Sequence, residues 1–335
     1  MKRKWFLFTV LIVLVSLVGI FLFMKKTHPL VQRTVVSKYS EGDSLIHAYP
    51  NDAQSQVLSE SVGLYMKYLL MEHDADAFDQ QAQHLKERFI VKRGQNTFIQ
   101  WVLGPDTSAN ALIDDVRIIH ALNEGAKQFH KKEYQELATI VASSIERSQK
   151  KDGFYVDYVE WHYNQTASRI TLSYLTPEFF KSLSQAQKNQ KLLKNVSSQS
   201  VFFPEYYDLE DKQFKSAPDV HMIDQVLIAM NRESFGISSP TFEKWIISEW
   251  TSHKKIMGQY DRKSLKPSVS YESLSVYAYI ATYFHLIGQE SLAKEVEQRA
   301  DVMARSGVLN QAHFFDYILF ETMKKSLPDS GRLFV

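Results

Sequence analysis

"LSESVGLYMKYLLMEHDADAF", residues 58–78, decides how the rest of the chain is read. Leu58, Val62, Tyr65 and Leu69 recur at helical spacing, and Phe78, Ala82, Leu85 and Phe89 make a second stripe. The stretch therefore reads as one helix running into another, an αα-hairpin. Glu60 stands between two serines, just ahead of Gly63 and a run of Tyr, Met and Leu. An acid at the mouth of a helix that looks buried on most sides is costly unless something uses it. The plainer reading is a first-turn acid favoured by the helix dipole.

The pattern repeats. Leu112, Val116, Ile119 and Leu122 pair with Tyr134, Leu137, Val141 and Ile145, and Gly153 in "KKDG" can serve as a stop. First helices are expected again near residues 172, 220, 271 and 311, and second helices near 184, 239 and 290. Their spacing, roughly 40 to 60 residues, is too irregular for a solenoid. Helical hairpins in such number suggest a closed toroid, with inner helices apolar all round and outer helices amphipathic. "GFYVDYVEWHYNQTASRITLSYL", residues 153–175, departs from this period and reads as a short hairpin or a long aromatic-lined loop at a binding face.

Composition narrows the class. The 335 residues are 44% hydrophobic and 13% aromatic, with 12 glycines and 9 prolines, which suits a mostly helical globular body. Thirty-nine basic residues against 38 acidic ones leave no electrostatic footprint for a phosphate backbone, so nucleic acid is not an expected partner. The absence of cysteine excludes a disulfide framework, a thiolate metal site, a cysteine nucleophile and lipidation through Cys. His221 and Asp224 lie close together, but no third ligand is recognisable, so neither metal nor cofactor is expected.

At the N-terminus "MKRK" precedes 20 uncharged residues, 5–24, and then "KK". As a helix the run would span roughly 30 Å, the thickness of a bilayer's hydrocarbon. It reads as an uncleaved signal anchor, with the positive-inside rule placing the body outside the cell. The expected organisation is a cytoplasmic tip and transmembrane anchor over 1–26, an extracytoplasmic spacer over 27–50, and one globular domain over 51–335.

Four segments carry a family resemblance. "SESVGLYM" (59–66) resembles the Ser-Glu-Gly-x-Gly-Tyr-Gly-Met signature of the family 8 glycoside hydrolases. "NALIDDVRIIHAL" (110–122) resembles that family's Asp-Ala-Asp-x-Asp-Ile-Ala helix start, "MIDQVLIAM" (222–230) its Tyr-Asp-Ala-Ile-Arg segment, and "SYESLSVYAYIA" (270–281) its late helix. The resemblance implies an all-α (α/α)6 barrel of six helical hairpins, with Glu60 as general acid and Asp224 as general base. It also brings Asp114, or its neighbour Asp115, toward the substrate. Asn110 and Leu112 replace two of the family's acids, Ile223 its Tyr and Leu227 its Arg. These departures resemble a divergent branch of membrane-anchored bacterial exopolysaccharide hydrolases, so cellulose is not carried over as substrate.

The chemistry has its own logic. Glycoside hydrolysis needs one carboxylic acid kept protonated and one carboxylate that activates water, and burial against Leu64 and Tyr65 would suit Glu60 to the first role. Asp224, in a first helical turn, would keep its charge with help from the dipole. Trp101, ahead of "GPDTSAN", and Tyr158 and Trp161 are candidate sugar platforms, with Tyr155 and Tyr163 beside them, and Asn110 is a candidate contact. The expected partners are a polysaccharide, the membrane and an exopolysaccharide synthase complex. Two rivals remain: an inactive polysaccharide-binding or export accessory protein on the same fold, and a polysaccharide lyase.

Overall fold

Residues 30–40 and 44–326 are described by the structure, a computed structural model. Six helices form an inner set: α1 (Ser59–Glu72), α3 (Leu112–Phe129), α5 (Pro177–Ser182), α7 (Met222–Glu233), α9 (Leu274–Leu286) and α11 (Phe314–Ser326). Five alternate with them outside: α2 (Ala75–His84), α4 (Lys132–Ser148), α6 (Gln187–Asn195), α8 (Pro240–His253) and α10 (Glu290–Arg305). Packing runs α1 to α3 to α5, then through the turn Leu172–Tyr174 to α7, α9 and α11, and α11 closes on α1. This closed helical ring is consistent with the expected (α/α)6 barrel.

Local chemistry explains the hairpins. α1 stops where His73 turns left-handed (φ 54°), its N–H directed at the carbonyls of Leu69 and Leu70, and the Asp74 carboxylate accepts the Ala77 N–H to start α2. Gly125 lets α3 approach closely, since a Cβ there would lie 2.5 Å from the ring of Phe78 on α2. The aromatic residues fill one large core, in which Phe78, Phe179, Phe242, Tyr277, Tyr283 and Phe284 are fully buried.

The spacer expectation for 27–50 is corrected. Leu30–Thr34 is helical, continues as the helical turn Val35–Tyr39, and packs against α11 through Tyr39. Val31, Val35, Tyr39, Leu45 and Ile46 are buried in the main core. The Tyr39 ring stacks on Tyr317 at 5.4 Å and meets Phe314 edge-on at 5.1 Å, while its hydroxyl donates to the Ala312 carbonyl at 2.9 Å. The apolar spacing of Val31, Val35 and Tyr39 makes this a core helix rather than a free tether. The expected anchor over 5–24 lies outside the described residues. Among those described, no helix is long and apolar enough to cross a membrane.

Short strands decorate the ring. Ile90–Arg93 (β1) pairs with Asn96–Ile99 (β2), and Lys150–Lys151 (β3) with Phe154–Tyr155 (β4). Val159–Glu160 (β5) pairs with Gln165–Thr166 (β6), and Arg169–Thr171 (β7) with Tyr206–Asp208 (β8), which pairs in turn with Gln213–Lys215 (β9). Asp219–His221 (β10) and Gln259–Asp261 (β11) are also antiparallel. The stretch 153–175 thus contains one short hairpin, β5–β6, flanked by strands that pair with residues outside it.

Candidate active site

An acid stands in the first turn of five of the inner helices: Glu60 on α1, Asp114 and Asp115 on α3, Glu178 on α5, Asp224 on α7 and Asp316 on α11. Each suits the positive end of its helix dipole. Three of them, Glu60, Asp224 and Asp316, line one cavity of about 520 Å³ together with Glu272, His221 and His313. Residues 60 and 224, far apart in sequence, thus share one cavity.

Glu60 is strongly perturbed. Burial, helped by the negative charges of Asp114 and Asp316, pushes its carboxyl up to about 8, against the opposing pull of Arg117. Its backbone is fixed next door, where the Ser59 N–H donates to the Trp101 carbonyl at 3.0 Å. The expected apolar cause, Leu64 and Tyr65, is only part of the matter: two carboxylates also hold the proton on Glu60. Asp224 is set by the Ser173 hydroxyl, which donates to Oδ1 at 2.6 Å. Arg232 does not pair with Asp224, because its guanidinium is taken by the carbonyls of Leu193, Val196 and Ser238 and the Ser239 hydroxyl.

The adjacent acids on α3 separate cleanly. Asp114 takes an ion pair with Arg117 at 3.2 Å, and burial lifts its carboxyl to about 6 while Arg117 and the Ser59 hydroxyl pull it down. Asp115 points the other way. Its Oδ2 accepts from Asn110 Nδ2 at 2.5 Å, Asn110 also donates to Gln149 at 2.6 Å, and the Asn110 oxygen accepts the Val159 N–H at 2.7 Å. Burial raises the Asp115 carboxyl well above the usual range. Asn110 and Asp115 are therefore corrected from substrate contacts to a buried polar knot that ties the start of α3 to β5; neither lines the cavity.

The aromatic expectations divide. Trp101 is 41% exposed beside the start of α1, and Tyr158 is 38% exposed. Trp161 does not line the Glu60 cavity; it stacks on Phe98 at 5.3 Å and borders a separate recess. Tyr155 is core, its hydroxyl donating to the Ser184 carbonyl.

Three residues escaped the sequence reading. Asp316 is held by the Ser273 hydroxyl at 2.6 Å and the Ser275 N–H at 2.9 Å. Arg117 reaches Glu60 at 4.0 Å as well as Asp114. The Tyr174 phenol is kept protonated by burial and by the negative charges of Asp157, Asp114 and Asp224. The repeated first-turn acid was the signal that could have found Asp316. Among the described residues no cluster suited to a metal ion occurs.

Comparison with known proteins gives the same family. No family model matches the sequence. YdaJ of Bacillus subtilis (strain 168), a candidate lipoprotein, is 31% identical over 236 residues, which is 67% of this chain. The chain spans 64% of the length of that curated relative. The crystal structure of PssZ from Listeria monocytogenes superposes with a TM-score of 0.83 at 31% identity, covering 90% of this chain and 97% of that one. A cold-adapted family 8 xylanase, solved in complex with substrate, shares the fold at a TM-score of 0.66 and 13% identity, over 90% of this chain and 91% of that one. With the order of motifs, the ring of helices and these likenesses together, the chain belongs to a divergent branch of the family 8-like glycoside hydrolases.

Proposed function

We propose that this protein hydrolyses glycosidic bonds of a bacterial exopolysaccharide, with Glu60 as proton donor and Asp224 as the base that activates water. The observation that carries the reading is Glu60 itself: an acid held protonated to about pH 8, on the wall of a cavity that it shares with Asp224. A leaving alkoxide needs a proton at neutral pH, and a carboxyl of ordinary acidity would have lost it. Asp224, oriented by Ser173, supplies the opposite function by taking a proton from water. Asp316, Glu272 and His313 line the same cavity, and Asp114 acts on Glu60 through its charge. The proposed outcome is inversion at the anomeric carbon.

The body, from residue 30 onward, works outside the cell in this reading, held by residues 5–24. YdaJ is a candidate lipoprotein, yet this sequence has no cysteine to carry a lipid thioether. The apolar run over 5–24 is the proposed means of attachment. A polymer synthase complex at the same membrane is the fitting partner.

Product analysis tests the function. Exopolymer incubated with the protein should yield new reducing ends without unsaturation, and the freshly released anomer should be opposite to that of the cleaved bond. An unsaturated product would make it a lyase, and binding without product would make it an accessory protein.

A further inference from the structure

A second recess, of about 500 Å³, opens between the loop 104–108 and the turn that carries His162 and Tyr163. Both walls are fixed. Gln100 Nε2 donates to the carbonyls of Gly104 and Thr107, at 3.1 Å each, and so braces the loop. Across from it the Glu160 carboxylate accepts the N–H groups of His162 at 3.1 Å and Tyr163 at 2.7 Å. Asn164 closes the turn in the left-handed region (φ 54°). Behind the turn, Phe98, Val159 and Trp161 form a small apolar cluster of their own, apart from the main core.

The turn is braced, yet it leaves Tyr163 77% exposed. The bracing fixes the backbone from which the Tyr163 ring projects, and that ring, 6.0 Å from the His162 imidazole, stays largely in water, so a function other than core packing suits it. Beside the ring the recess offers the Arg93 guanidinium, the Asp106 carboxylate, the Thr107 hydroxyl and the His162 imidazole. A flat apolar face with donors and acceptors around it suits a sugar ring, which has apolar C–H faces and a rim of hydroxyls.

The backbone connects this recess to Glu60. Ser59 N–H donates to the Trp101 carbonyl at 3.0 Å, Trp101 N–H donates to the Ala109 carbonyl at 3.2 Å, and Ala109 bridges Glu160. Three such rungs, each about 4.8 Å, put Glu160 roughly 14 Å from Ser59. Exposed Trp101 takes part in the first two rungs.

We propose that the recess of Arg93, Asp106, Thr107, His162 and Tyr163 is a second glycan-contact site, which holds an outlying stretch of the same polymer that enters the Glu60 cavity. It rests on the reading of that cavity as a glycan-cleaving site, and it makes grip depend on chain length. A protein partner would meet a larger apolar patch, whereas a polysaccharide is long enough to contact both the recess and the Glu60 cavity, with exposed Trp101 between them in the backbone ladder.

Binding in a cleavage-impaired background tests it. The full chain carrying Glu60→Gln is titrated with exopolymer washed from producing cells and with short oligomers made from it by partial acid hydrolysis. Adding Tyr163→Ala, or separately Asp106→Ala, should raise the dissociation constant for the long polymer by about 3- to 10-fold and leave that of short oligomers unchanged. Both residues are exposed, so the fold should persist. Long-chain binding that neither substitution alters, or an equal loss for short oligomers, would overturn the second site and leave the cleavage reading standing. Failure of the Glu60→Gln protein to bind either long or short glycan would overturn both.

Discussion

Nη1 of Arg117 lies 3.2 Å from Oδ1 of Asp114, with both side chains nearly out of solvent. The same nitrogen reaches Oε2 of Glu60 at 4.0 Å. One cation thus neutralises the deeper acid and only partly offsets the burial of the shallower one, leaving the proton on Glu60. Arg117→Met should strand the Asp114 charge and cost about 3–5 kcal/mol in urea unfolding at pH 8. Adding Asp114→Asn should return part of that loss. A single substitution within about 0.5 kcal/mol of the parent would show the pair to be incidental.

Glu60 should lower stability as pH rises. Its folded value, about 8, exceeds the unfolded one of about 4.3, so the folded state holds a proton that the unfolded chain releases. Stability from this group is full below the unfolded value and is lost progressively between about 4.3 and 8. Glu60→Gln removes the cost. It should match the parent at pH 4 and exceed it by about 1–3 kcal/mol at pH 8.5, less than the full shift implies because the side chain keeps 28% exposure. Melting curves at both pH values check this; an equal difference at both would contradict it.

Asp316→Asn keeps an oxygen for Ser273 and Ser275 but removes a negative charge that raises Glu60. The alkaline limb of kcat/KM should move to lower pH, by up to about one unit. A purely structural role would change the amplitude and leave the limb in place.

Tyr39 tests the N-terminal correction. Tyr39→Ala would open space against Tyr317 and Phe314 and should cost about 3–5 kcal/mol in thermal or urea unfolding. A free spacer would tolerate the change without loss.

The parts that sequence made legible were those encoded locally. The helical stripes from Leu58 and Leu112 gave the hairpins, and Glu60 and Asp224 each stand in a short stretch with a recognisable neighbourhood. Choosing between Asp114 and Asp115 needed the phase of α3. Adjacent residues on a helix differ by about 100° in direction, and here the phase is fixed by Gly125 against Phe78 and by the Leu112 N–H on the Asp157 carbonyl. Arg117, between Val116 and Ile118, reads as a surface cation; only the closed ring brings its guanidinium beneath Glu60. Tyr174 lies in a stretch of short strands whose course depends on pairing with residues 206–208. The helix at 30–39 was legible in principle from Val31, Val35 and Tyr39, but its partner Tyr317 lies at the far end of the chain.

The division of labour between Glu60 and Asp224 is tested most directly by leaving-group chemistry. Loss of acid or base assistance should reduce polymer hydrolysis by roughly 10²–10⁴ in either Glu60→Gln or Asp224→Asn, and the two losses should not add in the double variant. An aryl glycoside with an activated leaving group needs little protonation but still needs an activated water. Turnover of that substrate should recover substantially in Glu60→Gln and stay lost in Asp224→Asn. Equal recovery in both variants, or unimpaired polymer hydrolysis by Glu60→Gln, would contradict the assignment.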